Sequence, residues 1–142
     1  MKIFEFAVNG PPKGKGRPRF TRKGHAYTPA TTREFENRVK DAFIGSGGET
    51  FGDAPVMMEI TALYPIPKST TKREREAMEQ GAIYPMKHSQ GDIDNVQKAI
   101  LDALNRVAYD DDVQVVAIVA RKQYDKAGAS GAVHIRISDM SE

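Results

Sequence analysis

The chain has 142 residues, enough for one domain with a sizeable hydrophobic core. Its 39% hydrophobic and 28% charged residues are typical of a globular protein, and the lack of cysteine excludes disulfides and thiolate metal sites. The net charge is only +2, but residues 1–40 carry ten Lys and Arg against three acidic residues, whereas residues 41–142 carry eleven against sixteen. This asymmetry favours a surface that binds a polyanion such as nucleic acid.

No segment of the sequence indicates a membrane protein. The longest aliphatic run, VVAIVA at 115–120, is far shorter than the roughly 20 residues of a membrane span. The first ten residues, MKIFEFAVNG, lack the apolar region of a signal peptide and alternate like a strand. We therefore expect a cytoplasmic protein without membrane contact.

The first half of the chain predicts a strand, a basic loop, a helix and a second strand. Residues 2–8 alternate in hydropathy, and the basic segment 9–30, rich in Gly and Pro, indicates a loop or an irregular hairpin. Thr31 and Glu34 have the spacing of a capping box in front of a helical repeat of apolar residues. Residues 56–64, VMMEITALY, predict the second strand.

The second half predicts two helices and two further strands. Thr71 and Glu74 again have capping-box spacing, and they open a short polar helix. Residues 93–107 give the clearest helical stripe, 113–121 a strand rich in β-branched residues that we expect to be buried, and 133–138 a last strand. This order predicts a single α+β domain over the whole chain, with helices packed on a mixed or antiparallel sheet.

Aspartates stand at both ends of the helix predicted over 93–107. Asp92 and Asp94 begin it, and three consecutive aspartates, 110–112, follow it. Either group alone is explained by helix capping or a turn, but together they supply the hard oxygen ligands that Mg²⁺ prefers. Lys98 lies four residues after Asp94, either as a helical salt bridge or as a cation beside a metal-bound phosphate. Asp102 continues this row and is expected to be solvated.

The basic segment 13–23 is the candidate surface for DNA phosphates. Its stretch KGRPR resembles the core of an AT-hook, which leaves open a DNA-binding protein without catalysis. Phe20 and Tyr27 could stack on an opened base, although such a segment can also be a solvated basic loop. The candidate DNA-binding residues are Lys13, Lys15, Arg17, Arg19, Arg22 and Lys23.

Three blocks of the sequence carry a resemblance to a known family. They are PPKGKGRPRFTRKGHAYTP at 11–29, PIPKS at 65–69 and GDIDNVQKAILDALNRVAYDDDVQVV at 91–116. The last block is the most specific, because it joins D-x-D-N-x-x-K to an acidic turn followed by x-Q-V-V. The chain resembles the RusA family of Holliday-junction resolvases, small endodeoxyribonucleases common in phages and prophages.

The resemblance implies a RusA-like α+β homodimer that cuts four-way DNA junctions with Mg²⁺, or with Mn²⁺ as a substitute. It implies that Asp92, Asp94, Asp112 and Lys98 are catalytic, and that Asp111 supports the three aspartates as a metal ligand. The aspartate triplet leaves open which of its members face the metal. A nuclease of broader specificity for branched DNA also remains open, and so does the role of His88.

Overall fold

A mixed sheet is the centre of the computed structural model, which describes residues 2–140. Two 3-10 turns, His88–Gln90 and Asp112–Gln114, precede the third helix and the fifth strand. These elements form one α+β domain, as predicted, and the predicted range 1–142 extends beyond the described residues at both ends. In chain order the elements are β1 (Ile3–Asn9), β2 (Arg19–Phe20), β3 (Ala26–Tyr27), α1 (Ala30–Gly45), β4 (Val56–Tyr64), α2 (Lys72–Glu79), α3 (Ile93–Leu104), β5 (Val115–Tyr124) and β6 (Ala132–Asp139).

The four long strands lie in the order β1-β6-β4-β5. Strand β6 runs antiparallel to β1 and β4, whereas β4 and β5 are parallel, so the sheet is mixed. Alternate residues of β4 are buried from Val56 to Tyr64, because one face of this inner strand points into the hydrophobic core. Phe35 and Val39 of α1 and Ile100 of α3 belong to the same core and are fully buried.

The other face of the sheet is polar and partly exposed. Arg136 of β6 places its Nε 3.1 Å from Glu5 of β1 and its Nη1 2.9 Å from Glu59 of β4. A groove of about 510 Å³ lies over these residues. None of the described helices is long and apolar enough to cross a membrane.

The basic segment forms the irregular hairpin that its glycines and prolines indicate. Strands β2 and β3 are only two residues long, with Arg19 paired to Tyr27 and Phe20 to Ala26. Thr21 closes the tip, because its N–H donates to the His25 carbonyl at 2.9 Å. This prediction is confirmed, and we call residues 17–27 the basic hairpin.

The predicted capping box at the start of α1 is wrong. The helix begins at Ala30 after Pro29, whose extended backbone ends the preceding loop, and no side chain caps it. The neighbouring Thr32 is buried instead, and its hydroxyl oxygen accepts a hydrogen bond from the Gly16 N–H at 3.0 Å. The second predicted capping residue is correct, since Thr71 accepts from the N–H of Glu74 at the start of α2.

Helix α3 ends three residues earlier than its apolar stripe predicts. Arg106 adopts a left-handed φ of 65°, which breaks the helix and turns the chain. The turn carries Tyr109 into the core, where it is fully buried and donates to the Leu101 carbonyl at 2.8 Å. The helix therefore ends at Leu104, and the turn that follows it lets Tyr109 pack in the core.

The strand predicted over residues 113–121 is present, but the expectation that it is buried is wrong. The strand begins at Val115, and it lies at the edge of the sheet beside β4. Val116 and Val119 are 60% and 42% exposed. β-Branched residues favour a strand, but they do not reveal whether that strand is central or at an edge.

Candidate active site

The first two aspartates stand at the N-terminus of α3. Asp92 is the N-cap residue, but its side chain caps no N–H, and Asp94 lies in the first turn. Both are exposed, and within residues 2–140 neither carboxylate has a hydrogen bond or an ion pair. Helix capping therefore does not explain them, although the helix dipole favours their negative charge.

The backbone before these aspartates is fixed by side chains from β4 and β5. The Tyr64 hydroxyl donates to the Gln90 carbonyl at 3.0 Å, and the Gln90 amide donates to the Tyr124 hydroxyl at 3.2 Å. Lys122 donates through Nζ to the Gly91 carbonyl at 2.6 Å. Burial raises the pKa of Tyr64, which keeps its hydroxyl a donor over a wider range of pH.

The second acidic turn is fixed by Gln114. The Gln114 amide donates to the carbonyls of Gly52 at 2.7 Å and Ala54 at 2.9 Å. Its side-chain oxygen accepts a hydrogen bond from the Asp111 N–H at 2.8 Å. These three bonds hold the turn that carries Asp112 against the loop before β4.

Asp112 lies in a negative environment that Lys98 partly offsets. Partial desolvation raises the pKa of Asp112, and the hydrogen bond and charge of Asp111 raise it further. Asp102 acts in the same direction, whereas the positive charge of Lys98 acts in the opposite one. Lys98 is therefore electrostatically linked to the acidic turn as well as to its own helix.

Two lysines share one aspartate on α3. Lys98 Nζ lies 3.2 Å from Asp102 Oδ1, and Lys15 Nζ lies 3.1 Å from Asp102 Oδ2 and 3.0 Å from Glu36 Oε2. Partial burial lowers the pKa of Lys15, but its bonds to the two acids more than offset this and leave it raised. The expectation that Asp102 is solvated is wrong, and the helical partner of Lys98 is Asp102 rather than Asp94.

The basic segment is docked on α3 at its first residues. The Lys15 N–H donates to the Asn95 carbonyl at 2.8 Å. Gly14 permits this approach, because a Cβ at Gly14 would lie 3.1 Å from the Asn95 Cβ. Lys15 is half-buried in its ion pairs, and Phe20 is 69% exposed. The other predicted DNA-binding residues are exposed, and they are Lys13, Arg17, Arg19, Arg22 and Lys23.

Asp94 lies between two shallow clefts. The hairpin cleft is lined by Lys15, Gly16, Arg17, Asp94, Asn95, Gln97, Lys98 and Leu101. The Tyr84 cleft is lined by Tyr84, Pro85, Met86, Lys87, His88, Gly91, Asp92, Ile93, Asp94 and Lys122. The predicted residues Asp92 and Asp94 thus share one cleft, and Asp94 and Lys98 share the other. Neither cleft is lined by Asp111 or Asp112.

The free carboxylates of Asp92 and Asp94 suit a hard cation. In the part of the chain that the structure describes, no three His, Asp or Glu side chains are close enough to form a metal-binding group. Mg²⁺ does not need such a cage, because proteins commonly bind it through one or two carboxylates together with substrate phosphates and water. The donor chemistry of Asp92 and Asp94 therefore fits Mg²⁺.

Comparison with known proteins decides the family. The model of the family described as Endodeoxyribonuclease RusA matches residues 9–138. The chain belongs to the RusA family. It is also similar to the Bacillus subtilis protein YqaN, which carries the description of an uncharacterized protein, with 35% identity over 131 residues, 89% of this chain and 91% of that protein. The family recognised from the sequence motifs is confirmed, and it is a family of nucleases.

Sequence reasoning missed several residues that build this RusA-family site. Gln114 lies within the quoted motif, but its role was visible only once the loop at Gly52 had been placed beside it. Lys122 carried a usable signal, because it occupies a position that alternation predicts to point toward the core, with Ile118 and Tyr124 on the same face of β5. A lysine that points toward the core is expected to have a hydrogen-bond or ion-pair partner.

Proposed function

We propose that this protein is a Mg²⁺-dependent, structure-selective endodeoxyribonuclease that resolves four-way DNA junctions by paired phosphodiester hydrolysis in recombination and repair. The observation that carries the proposal is a pair of carboxylates, Asp92 and Asp94, that have no hydrogen bond or ion pair among the described residues 2–140 and have basic clefts on both sides. Free carboxylates repel DNA unless a cation lies between them and the phosphate. A purely DNA-binding protein would gain nothing from them.

Asp92 and Asp94 would hold Mg²⁺, with Mn²⁺ as an alternative ion. Asp112 and Asp111 line neither cleft, so they are proposed as further ligands that would reach the ion only when DNA is bound. The metal would act as a Lewis acid on the scissile phosphate and lower the pKa of an attacking water. The protein's own contribution is to fix the carboxylates in place. The bonds of Gln90 and Gly91 fix the first pair, and the bonds of Gln114 fix the acidic turn.

Lys98 is proposed to stabilise negative charge that develops on the phosphate. Its side chain is 59% exposed and lines the hairpin cleft together with Asp94. One of its three N–H donors is used by Asp102, so two remain for a substrate oxygen. A preorganised cation at this position stabilises the transition state more than the ground state.

The basic hairpin is proposed to bind the DNA backbone near the branch point. Neutralised phosphates release counterions, which gives each arginine a salt-dependent contribution to affinity. Phe20 and Tyr27 are exposed on the same hairpin and could stack on an unpaired base. Because the hairpin cleft includes Arg17 and Asp94, DNA bound to the hairpin would lie beside the carboxylates.

We also propose a homodimer, since paired cuts in opposed strands need two sites related by a twofold axis. The polar face of the sheet around Arg136 is a suitable surface for the second copy, with exposed Val119 beside it. Sedimentation should give a dimer mass for the wild type and a monomer mass for Val119→Asp. A monomer at all concentrations of the wild type would contradict this part of the proposal.

A DNA substrate would also place the protein in the cytoplasm of a bacterial or phage-infected cell.

The test of the proposed function is strand cleavage of a labelled four-way junction beside a linear duplex of the same sequence, with Mg²⁺ and with EDTA. Paired nicks are expected only on the junction and only with Mg²⁺. Asp94→Asn should abolish cleavage while preserving or strengthening binding, because a repulsive charge is removed. Asp41→Asn is the matched control, because Asp41 is an exposed aspartate on α1 away from both clefts.

The same assay separates the alternatives. Cleavage of flaps at the same rate would indicate a nuclease of broader specificity for branched DNA. Binding without cutting under Mg²⁺ and Mn²⁺, with a preference for A/T-rich duplex, would favour the DNA-binding protein without catalysis. Equal cutting rates for the wild type and Asp94→Asn would show that the active site does not lie at the start of α3.

A further inference from the structure

The Tyr84 cleft carries features that metal binding does not require. We infer that it is the second half of the DNA track: it holds the nucleotide on the side of the scissile phosphate opposite to the basic hairpin, with Lys122 on the phosphate and Tyr84 against the base. This inference rests on the proposed function, because it assumes that a phosphate is cut at Asp92 and Asp94.

The position of Asp94 carries the first step. A phosphate held at Asp94 lies within a DNA strand, so the strand must continue away from Asp94 on both sides of that phosphate. One direction is the hairpin cleft, with Lys15, Arg17 and Lys98, and the other is the Tyr84 cleft, since Asp94 lines both. Asp92 lines only the Tyr84 cleft, so the strand passes both carboxylates on its way into it.

The segment before the 3-10 turn presents a surface for a base. Pro85 is buried and Ile83 is half-buried, whereas Tyr84 is 54% and Met86 83% exposed. The alternation anchors the segment on one side and holds the tyrosine and the methionine in solvent on the other. An exposed aromatic ring on an anchored backbone loses little conformational entropy when a base stacks on it, and it tolerates any base.

Lys122 supplies a cation with a fixed position. Its Nζ donates to the Gly91 carbonyl at 2.6 Å and lies 5.5 Å from the centre of the Tyr64 ring. An ammonium group has three N–H donors, so two remain for a phosphate in the cleft that Lys122 lines. Lys87 adds a positive charge to the same cleft, which opposes the repulsion between DNA and Asp92, and His88 also lines the cleft.

The experiment places 2-aminopurine next to the scissile phosphate of a four-way junction, on the 5′ side in one substrate and on the 3′ side in another. Binding to the Asp94→Asn protein, which is expected to bind the junction without cutting it, should quench the probe on one side through Tyr84, and the Tyr84 variants are made in the same background. Tyr84→Ala should abolish that quenching and weaken binding about tenfold, whereas Tyr84→Phe should keep both. Probe fluorescence on the other side should not respond to either variant.

The lysine is tested by the salt dependence of binding. Lys122→Met should make the slope of log K against log salt shallower by about 1, and Lys122→Arg should restore it. Lys126→Met is the matched control, because Lys126 is an exposed lysine just after β5 that lines neither cleft. Its slope should equal that of the wild type.

The outcomes distinguish this inference from the proposed function. Junction cleavage by the wild type, combined with quenching and salt slopes that Tyr84→Ala and Lys122→Met leave unchanged, would overturn the inference and leave the function intact. Failure of the wild type to cut any junction with Mg²⁺ or Mn²⁺ would overturn both. Quenching on both sides that survives Tyr84→Ala would assign the stacking to another ring.

Discussion

Replacing Gln114 tests whether the acidic turn is held as the structure indicates. Gln114→Ala removes three hydrogen bonds, two to the carbonyls of Gly52 and Ala54 and one from the Asp111 N–H. Each such bond contributes about 1 kcal/mol net, and solvent can replace part of the loss because Gln114 is only half-buried. We therefore expect the free energy of unfolding to fall by about 2 kcal/mol. In urea this corresponds to a midpoint about 1 M lower.

A second substitution at Gln114 tests the two hydrogen bonds that its amide donates. Gln114→Glu keeps the size of the side chain and the acceptor for the Asp111 N–H, but it places a carboxylate oxygen where the amide donates to two carbonyls. It should lose at least as much stability as Gln114→Ala at pH 7. Gln123→Ala is the control, since the Gln123 side chain has no hydrogen bond within residues 2–140 and should change stability by less than about 0.5 kcal/mol.

The urea midpoints and the cleavage rate together decide the outcome. Because the bonds of Gln114 position Asp112, junction cleavage should decrease in Gln114→Ala by more than DNA binding does. Equal midpoints for the Gln114→Ala and Gln123→Ala proteins would show that the three bonds contribute nothing net. The argument that this glutamine fixes the acidic turn would then fail.

Three further predictions concern charge. Replacing Arg17 and Arg19 by alanine should make the slope of log K against log salt shallower by about 1.8, and an unchanged slope would move the phosphate contacts elsewhere. Lys15→Met should lower the free energy of unfolding by about 2 kcal/mol, because the half-buried Glu36 loses its lysine and Asp102 loses one of its two. A stable variant with an altered salt slope would contradict this. The folded-state pKa of Asp112 is raised, so its ionised form costs stability above that pKa. In EDTA, Asp112→Asn should therefore raise the urea midpoint at pH 7. This gain should disappear as the pH falls below 3.8, the ordinary pKa of an aspartate, because the carboxyl is then protonated in both the folded and the unfolded state. A gain of equal size at pH 7 and pH 3 would show that the charge of Asp112 is not its cause.

Periodicity predicted the fold well where one face of an element decides its structure. The alternation of β1 and the apolar stripe of α3 follow directly from burial against one core. The exposure of β5 was not predictable in this way, because it depends on the strand order β1-β6-β4-β5, which nothing local encodes. The end of α3 depended on Arg106, a residue that rarely adopts a positive φ and gives no signal in the sequence.

The candidate site could likewise be predicted only in part, because a local motif carries some of its residues and distant segments supply the others. Asp92, Asp94 and Lys98 could be predicted together because a dense local motif carries them at the start of one helix. The partners that fix them come from distant parts of the chain: Lys122 lies 31 residues from the Gly91 carbonyl that it contacts. Contacts of this range are set by the sheet topology, and a single sequence does not contain the pairing.

Asp102 shows why opposite charges concentrate in two parts of one small chain. It binds Lys15 of the basic segment and Lys98 of its own helix, so two of the cations are held together by one carboxylate. This pairing docks the basic segment beside α3 and leaves the exposed arginines of the hairpin without acidic partners of their own among the ion pairs of the described residues. Those lysines therefore do not pair with Asp92 and Asp94, whose carboxylates form no ion pair within residues 2–140. The basic and acidic segments are therefore parts of one surface, in which an internal ion pair determines which charges remain available to the proposed DNA and metal ligands.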